Sequence, residues 1–105
     1  MSRAVVRDGV IYFSGHVASG RQPTMKEQAV ALLARYDELL GKYGSDKAHI
    51  IAASIYVTDL GMKPEFNKVW DEWIPEGCAP ARICIECGLD PGYLVEISLI
   101  AEIKE

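Results

Sequence analysis

The segment 93–103, YLVEISLIAEI, restricts the fold of this chain more than any other feature. Side chains along a β-strand point alternately to the two faces of a sheet. The aliphatic residues at odd positions from 95 to 101 therefore share one face, and Glu96 and Ser98 lie on the other. The aliphatic face has to be covered by another layer, so the segment predicts a strand in a sheet with at least one packed face.

Two segments have the apolar periodicity of amphipathic helices that could form this layer. In the first, Thr24 and Glu27 make a capping-box pattern, in which each side chain satisfies a free backbone N–H group. Apolar residues follow at spacings of three and four as far as Tyr43, and Gly44 is placed to end the helix. In the second, Pro64 suits the first turn. The buried stripe of this second helix consists of Phe66, Val69, Trp70 and Trp73.

The other apolar segments are predicted strands, and GLDPG at 88–92 is a turn by composition. The strands cover residues 3–7, 10–16, 49–58, 81–87 and 93–103. The order is β-β-α-β-α-β-β, an α+β fold with two helices on one face of a single sheet, in one domain spanning residues 1–105. Segment 49–58 is apolar on both sides, as expected of a central strand covered on both faces. Two helices cover only one face, so the other face needs a partner.

The charge and cysteine content argue against several classes of protein. The net charge is −4, and the eleven Lys and Arg residues are scattered, which argues against binding to nucleic acid. No stretch approaches the length of a signal peptide or a transmembrane helix, so we expect a cytoplasmic protein without a membrane partner. Three cysteines are an odd number, and a disulfide framework is therefore not expected.

The Cys-x-x-Cys spacing of Cys84 and Cys87 resembles a metal or redox motif but lies in a predicted strand. Residues three apart on a strand point to opposite faces, so the two thiols cannot bind one metal ion. No helix follows to lower a thiol pKa, as a redox motif requires. Cys78, His16 and His49 lack the spacing of zinc ligands. We interpret the cysteines as small, partly buried side chains, and His16 as a surface or interface residue.

The last two strands are expected to pair as a hairpin, because only a short turn joins them. That pairing makes Arg82 and Glu96 diagonal neighbours, within reach of each other's side chains, on the face that the helices leave open. Cys84 would lie on the same face, opposite Glu96. The fork of an arginine suits a planar carboxylate ligand. An ion pair from Arg82 to Glu96 or Glu86 at a subunit interface explains the same residues equally well.

Four motifs together resemble the RidA/YjgF family of reactive-intermediate (imine/enamine) deaminases, over nearly the whole chain. They are YFSGHV at 12–17, AASIYVTDLGMKPEFNKVWDEW at 52–73, APARICIE at 79–86 and YLVEISLIAEI at 93–103. The resemblance implies a chorismate-mutase-like fold and a homotrimer, whose sheets pack into a central barrel with ligand clefts between subunits. This assembly would cover the open face. Family members typically have a longer segment before the first strand, with a tyrosine that reaches the cleft, so we expect a short branch of the family.

The resemblance also implies a reaction and the residues that perform it. Arg82 would clamp the substrate carboxylate, and Glu96 would hold the hydrolytic water. The other implied site residues are Ser14, Gly15, Asn67 and Cys84, the last through its main chain. The implied reaction hydrolyses 2-imino acids, such as 2-iminopropanoate and 2-iminobutanoate, to 2-oxo acids and ammonia, with no cofactor and no metal. The alternative is a non-catalytic trimeric binder of small carboxylates or a proteostatic interaction protein.

Overall fold

Two helices pack against one face of a five-stranded mixed sheet in the computed structural model, which describes residues 2–20 and 22–105. The strands are β1 (Ala4–Arg7), β2 (Val10–Phe13), β3 (Ile50–Val57), β4 (Ala81–Glu86) and β5 (Val95–Glu102). The helices are α1 (Met25–Lys42) and α2 (Lys63–Trp73), with short 3-10 turns at Lys47–His49 and Leu60–Met62. The predicted α+β class and element order are confirmed. Among the described residues, no helix combines the length and the apolar character needed to span a lipid bilayer.

Helix α1 begins and ends at the residues that its sequence indicates. The backbone N–H of Glu27 donates to Thr24 Oγ1 at 3.2 Å, and the Thr24 hydroxyl donates to Glu27 Oε1 at 3.0 Å. Gly44 has a φ of 79°, a left-handed conformation that glycine adopts without strain. The next N–H, of Ser45, then reaches back to the carbonyl of Leu40 at 2.8 Å and closes the helix end.

The core lies between these helices and the central strands of the sheet. Strand β5 pairs with β2 on one side and β3 on the other, and the four aliphatic residues on its helix-facing side are fully buried. They pack with the apolar stripe of α1 and with Phe66 and Trp70 of α2. Burying one large aliphatic side chain stabilises a fold by about 1.5–3 kcal/mol. The alternating pattern of residues 93–103 thus specifies the centre of the molecule.

The opposite face of the sheet is uncovered in the single chain. Val5, Tyr12, Ile83 and Ile85 lie on this open face with 43%, 46%, 51% and 45% of their surfaces exposed. Strand β3 is an interior strand, as predicted, but only its helix-facing side is covered by the described residues. Several large apolar side chains exposed on one sheet face are typical of a surface that binds another protein.

The expected hairpin between the last two strands is wrong, because β3 lies between them. The sheet order is β1-β2-β5-β3-β4, with β4 parallel and β5 antiparallel to β3. Helix α2 forms the crossover that places β4 beside β3, as a β-α-β unit requires. The chain from 87 to 94 then passes across the end of β3. Backbone hydrogen bonds hold this crossing, from Cys87 N–H to Val57 O at 2.9 Å and from Thr58 N–H to Leu94 O at 3.1 Å.

The predicted faces of β4 are also reversed. Its register places Arg82 beside Ala53, a buried residue of the helix-facing side of β3. Cys84 lies on the same side, so both residues face the helices, and Ile83 and Ile85 face the open side. In a central strand such as β5, the aliphatic side chains of one face pack against the helices. Strand β4 is at the sheet edge, where α2 presents aromatic rings and an amide to a cation.

His16 is a core residue, and its interpretation as a surface or interface residue is wrong. Only 6% of its surface is exposed, and its backbone exchanges hydrogen bonds with Ile97 at 2.9 and 3.0 Å. The ring lies edge-on to Phe13 and Tyr36, with Nε2 3.2 Å from the carbonyl oxygen of Arg3. Burial disfavours the imidazolium and lowers the pKa of His16 from its ordinary value of 6.5.

This burial predicts a pH-dependent stability that a His16→Gln variant should lack. Because the unfolded chain protonates His16 more readily than the folded chain, the contribution of the neutral ring is fully present above pH 6.5. It is lost as the pH falls from 6.5 through the lowered pKa. Denaturant unfolding of both proteins between pH 8 and pH 5 measures the difference. Parallel pH profiles would show that the burial of His16 carries no such linkage.

Candidate functional site

Arg82 is a half-buried cation without a carboxylate partner in its own chain. It projects from β4, and Nη2 donates to Asn67 Oδ1 of α2 at 2.7 Å. No salt bridge to Arg82 forms within residues 2–20 and 22–105. Glu86 Oε1 instead accepts a hydrogen bond from the backbone N–H of Leu60 at 2.9 Å. Neither Glu96 nor Glu86 pairs with Arg82 within the described residues, and the predicted ion pair across a subunit interface stays a prediction.

Cys84 follows on the same side of β4 and is half-buried against the core. All three cysteines are free thiols of intermediate exposure, as expected of small, partly buried side chains. Strand β4 is the last strand of the sheet, so its outer backbone groups have no strand partner in the chain. The main chain at Cys84 is thus placed at an edge where a ligand or a second chain can approach it.

Glu96 lies on the open face, beside the turn that ends β2. A Cβ atom built on Gly15 would lie 2.6 Å from Glu96 Oε2 and 2.9 Å from its Cδ. The carboxylate therefore occupies space that a side chain at position 15 would need. Strand pairing explains this approach, because Tyr12 is opposite Ile100 whereas His16 is opposite Ile97. One extra residue in this stretch, an irregularity typical of a β-bulge, brings the glycine against the carboxylate.

Ser14 is fixed by its neighbours in the same irregular stretch. Its hydroxyl donates to the carbonyl oxygen of Ser2, and its N–H donates to the carbonyl of Arg3 at 2.9 Å. The Tyr36 hydroxyl donates to the carbonyls of Ser14 at 3.3 Å and Ile97 at 2.7 Å. Burial raises the pKa of Tyr36 above its usual value, which keeps the hydroxyl protonated as a donor.

The six predicted site residues form two separate groups in one chain. Arg82, Asn67 and Cys84 lie on the helix-covered side at the β4 edge, whereas Ser14, Gly15 and Glu96 lie by the open face of β5. Strand β3 separates the two groups. The prediction that Arg82 and Glu96 are diagonal neighbours is wrong, and this geometry excludes a site assembled from both within one chain. Two clefts of about 470 and 520 Å³ in the described residues contain none of the six.

Two further features near these groups were missed in the sequence. The rings of Phe66 and Trp70 lie beneath the Arg82 guanidinium. Their helical spacing predicts that both rings are buried. Because Arg82 was predicted on the open face of the sheet, its contact with these rings was not expected. The second is Gln28, whose amide donates to the carbonyls of Gln22 and Gly92, each at 2.9 Å. It ties together the two loops that precede α1 and β5, and no local pattern predicts such bonds.

Comparison with known proteins relates the whole chain to one family. The family model that matches residues 1–103 is described as Endoribonuclease L-PSP. A crystal structure of a YjgF family member from Neisseria meningitidis is 42% identical with a TM-score of 0.96, and the match covers 100% of this chain and 88% of that one. The RutC family protein YoaB of Escherichia coli is 35% identical over 103 residues, 97% of this chain and 90% of that relative. The chain belongs to the RidA/YjgF family.

Other RidA/YjgF proteins share the fold at lower identity. The Rid family protein YyfA of Yersinia pestis is 25% identical with a TM-score of 0.93, over 98% of this chain and 87% of that chain. The RidA/YjgF resemblance indicated by the motifs is confirmed, as is its α+β architecture of a five-stranded sheet with two helices. The roles of the six RidA/YjgF site residues stay predictions.

The close approach of Gly15 and Glu96 generates a test by a double-mutant cycle. We expect Gly15→Ala to lower the free energy of unfolding by about 1 kcal/mol, because its methyl group displaces the Glu96 carboxylate. In a Glu96→Ala background the same substitution should cost little, since the space is then empty. Denaturant unfolding of the four proteins gives the coupling energy. An equal cost of Gly15→Ala in both backgrounds would contradict the contact.

Proposed function

We propose that this protein hydrolyses 2-imino acids, such as 2-iminopropanoate and 2-iminobutanoate, to 2-oxo acids and ammonia. One observation carries the proposal: Arg82 is half-buried, held by Asn67, and has no carboxylate partner within residues 2–20 and 22–105. A partly desolvated guanidinium without a counter-ion favours an anion that accepts two parallel hydrogen bonds. A small planar carboxylate has this geometry. Membership of the RidA/YjgF family supports the same substrate class.

The site in this proposal is built from two chains of a homotrimer. Arg82 of one subunit and Glu96 of its neighbour would line one cleft, because β3 keeps the two residues of a single chain apart. The uncovered open face supports this assembly, since it carries the exposed side chains of Val5, Tyr12 and Ile83, and Tyr12 is on β2, next to the strand that bears Glu96. Burial of such a face between subunits is a general source of oligomer stability.

In the proposed mechanism, Arg82 orients the substrate and Glu96 transfers protons. Arg82 holds the substrate carboxylate by two charge-assisted hydrogen bonds, each contributing about 1.5–3 kcal/mol. This fixes the C=N carbon beside a water molecule bound to Glu96 of the neighbouring subunit. The water oxygen bonds to that carbon while Glu96 accepts a proton. Glu96 returns this proton to the nitrogen as the C=N π bond opens, which gives a carbinolamine with one hydroxyl and one amino group. Glu96 next transfers the hydroxyl proton to the amino nitrogen, the C–N bond breaks, and ammonia leaves as the C=O bond forms.

A binder without catalytic activity is the alternative for the same groups. It would use Arg82 to hold a 2-oxo acid and would leave Glu96 without a role in turnover. Saturable binding of 2-oxobutanoate without acceleration of imine hydrolysis would favour it. The name Endoribonuclease L-PSP points to a third activity among family members. The acidic balance of this chain, with a net charge of −4, does not favour a polyanionic substrate.

Substitution of the two proposed site residues should affect different kinetic constants. We expect Arg82→Ala to lower kcat/KM at least about 100-fold, mainly through KM, because both carboxylate hydrogen bonds are lost. Arg82→Lys should recover only part, since an ammonium cannot donate in parallel. Glu96→Gln should lower kcat about 100-fold or more and leave 2-oxo acid binding nearly unchanged. The assay follows 2-oxo acid formation from an imine that an amino-acid oxidase generates in situ.

Exposed residues of the same types at other positions of the sheet provide matched controls. Glu102 is on β5 with Glu96, and Arg7 is an exposed arginine of β1. Glu102→Gln and Arg7→Ala should retain wild-type kinetics. Wild-type rates in Arg82→Ala would remove the proposed role of Arg82.

A mixing experiment tests whether each site needs two chains. Arg82→Ala and Glu96→Gln trimers should each be inactive, yet co-refolded mixtures should recover about a quarter of wild-type activity. This fraction follows because one site in four then combines an intact Arg82 with an intact neighbouring Glu96. If both residues acted from the same chain, every site in the mixture would lack one of them. No recovery in verified mixed trimers would therefore contradict the two-chain site.

A further inference from the structure

The Arg82 guanidinium lies against two aromatic rings of α2. Its Cζ atom is 5.9 Å from the ring centroid of Phe66 and 5.6 Å from that of Trp70. A cation within about 6 Å of a ring centroid is attracted by the ring quadrupole, and most strongly by tryptophan. Phe66 is fully buried and Trp70 is 4% exposed, so neither ring offers appreciable surface to a ligand. Their contact is with the guanidinium.

These rings hold the cation in a way that an acidic side chain cannot. A carboxylate partner would neutralise the guanidinium and occupy its in-plane N–H donors, in competition with an anionic ligand. Aromatic rings attract the charge without accepting those in-plane hydrogen bonds. Asn67 takes one hydrogen bond at Nη2 and fixes the orientation of the group. In the part of the chain that the structure describes, this is the one hydrogen bond from the Arg82 side chain, which leaves four of its five donors for a ligand.

The Trp70 ring has two aromatic neighbours on α2, of which Phe66 also contacts Arg82. It stacks on Phe66 at a centroid distance of 6.0 Å and an interplanar angle of 29°. On its other side Trp73 lies 5.7 Å away, and Trp73 Nε1 donates to the carboxylate of Asp37 on α1 at 3.1 and 3.2 Å. Trp73 is thus bonded to α1 and lies outside the pair of rings that contacts Arg82.

We infer that Trp70, supported by Phe66, is the positioning residue that holds Arg82 ready for a carboxylate ligand. This inference rests on the proposed function only in taking Arg82 as the group that binds the carboxylate. Trp70 acts through Arg82 and does not touch the substrate. The ring keeps the fork in place before the ligand arrives, so less conformational entropy is lost on binding.

The test compares two tryptophans of the same helix. The variants are Trp70→Leu, which removes the ring, Trp70→Tyr, which keeps an aromatic face, and Trp73→Leu as the matched control. The Kd for 2-oxobutanoate is measured by calorimetry on the full-length protein, and thermal unfolding reports folding. We expect Trp70→Leu to weaken binding about 10-fold, equal to about 1.4 kcal/mol. Trp70→Tyr and Trp73→Leu should stay within about twofold of wild type.

Kinetics and nuclear magnetic resonance separate positioning from general support of the fold. Trp70→Leu should raise KM for the imine with little change in kcat, because the ring helps binding and takes no part in proton transfer. The Nε–H signal of Arg82 should exchange with solvent about 10-fold faster in Trp70→Leu than in Trp73→Leu. Equal losses of affinity and of thermal stability in these two variants would show a structural role only and overturn the inference.

The outcomes also distinguish this inference from the proposed reaction. If the wild-type protein binds 2-oxobutanoate but does not accelerate imine hydrolysis, the reaction is wrong, and the Kd series still decides the role of Trp70. If the wild-type protein does not bind 2-oxobutanoate, Arg82 is not its receptor, and the inference fails together with the proposed substrate class. Unchanged Kd and Nε–H exchange in a folded Trp70→Leu variant would overturn the inference alone.

Discussion

The pairing of β3 with β5 on one side and β4 on the other determines where every candidate site residue lies. It places the fully aliphatic face of β5 at the centre of the sheet and moves β4 to the edge. At that edge Arg82 turns towards α2, while Glu96 stays on the open face. Because β3 lies between β5 and β4, the residues that a hairpin would bring together within one chain form two separate groups, the candidate half-sites. Each half-site presents one kind of chemistry, a free cation or a carboxylate held against a glycine.

The two half-sites differ in how their side chains are held. Arg82 has an amide on one edge and aromatic rings on one face, all from a single helix. Glu96 is held by strand geometry, since the irregular stretch at the end of β2 leaves a space that only glycine at position 15 provides. These are different physical solutions to the same requirement, which is to orient a charged group without neutralising it.

Local patterns in the sequence predicted the parts of the fold that depend on neighbouring residues. The cap at Thr24, the left-handed Gly44 and the stripe of α1 follow from spacing alone, and each is confirmed. The alternation of residues 93–103 correctly identified the buried face of β5. The pairing of β4 could not be obtained in this way, because it depends on a parallel contact with β3 that α2 brings about across some thirty residues.

The errors at the candidate site follow from that one long-range contact. The alternation in β4 predicts its aliphatic residues under the helices and Arg82 on the open face, but at the sheet edge Ile83 and Ile85 face the open side and Arg82 faces the rings of α2. The prediction that His16 lies at the surface was wrong for a related reason, since its burial depends on a β-bridge to Ile97, far away in the chain. The family motifs indicate the candidate site residues without information about the face of the sheet on which each side chain lies. Motif and geometry therefore supply independent information about this protein.

The central position of β5 has a consequence for how the protein acquires its structure during synthesis. Strand β5 is the last of the five in chain order, yet in the described sheet it is the strand that joins the β1–β2 pair to the β3–β4 pair. Until the ribosome has released residues 95–102, those two pairs have no common ladder and the aliphatic stripe of α1 lacks its main surface. Before β5 can pair, the nascent chain has two half-sheets that are not joined, and it must avoid aggregation in this state.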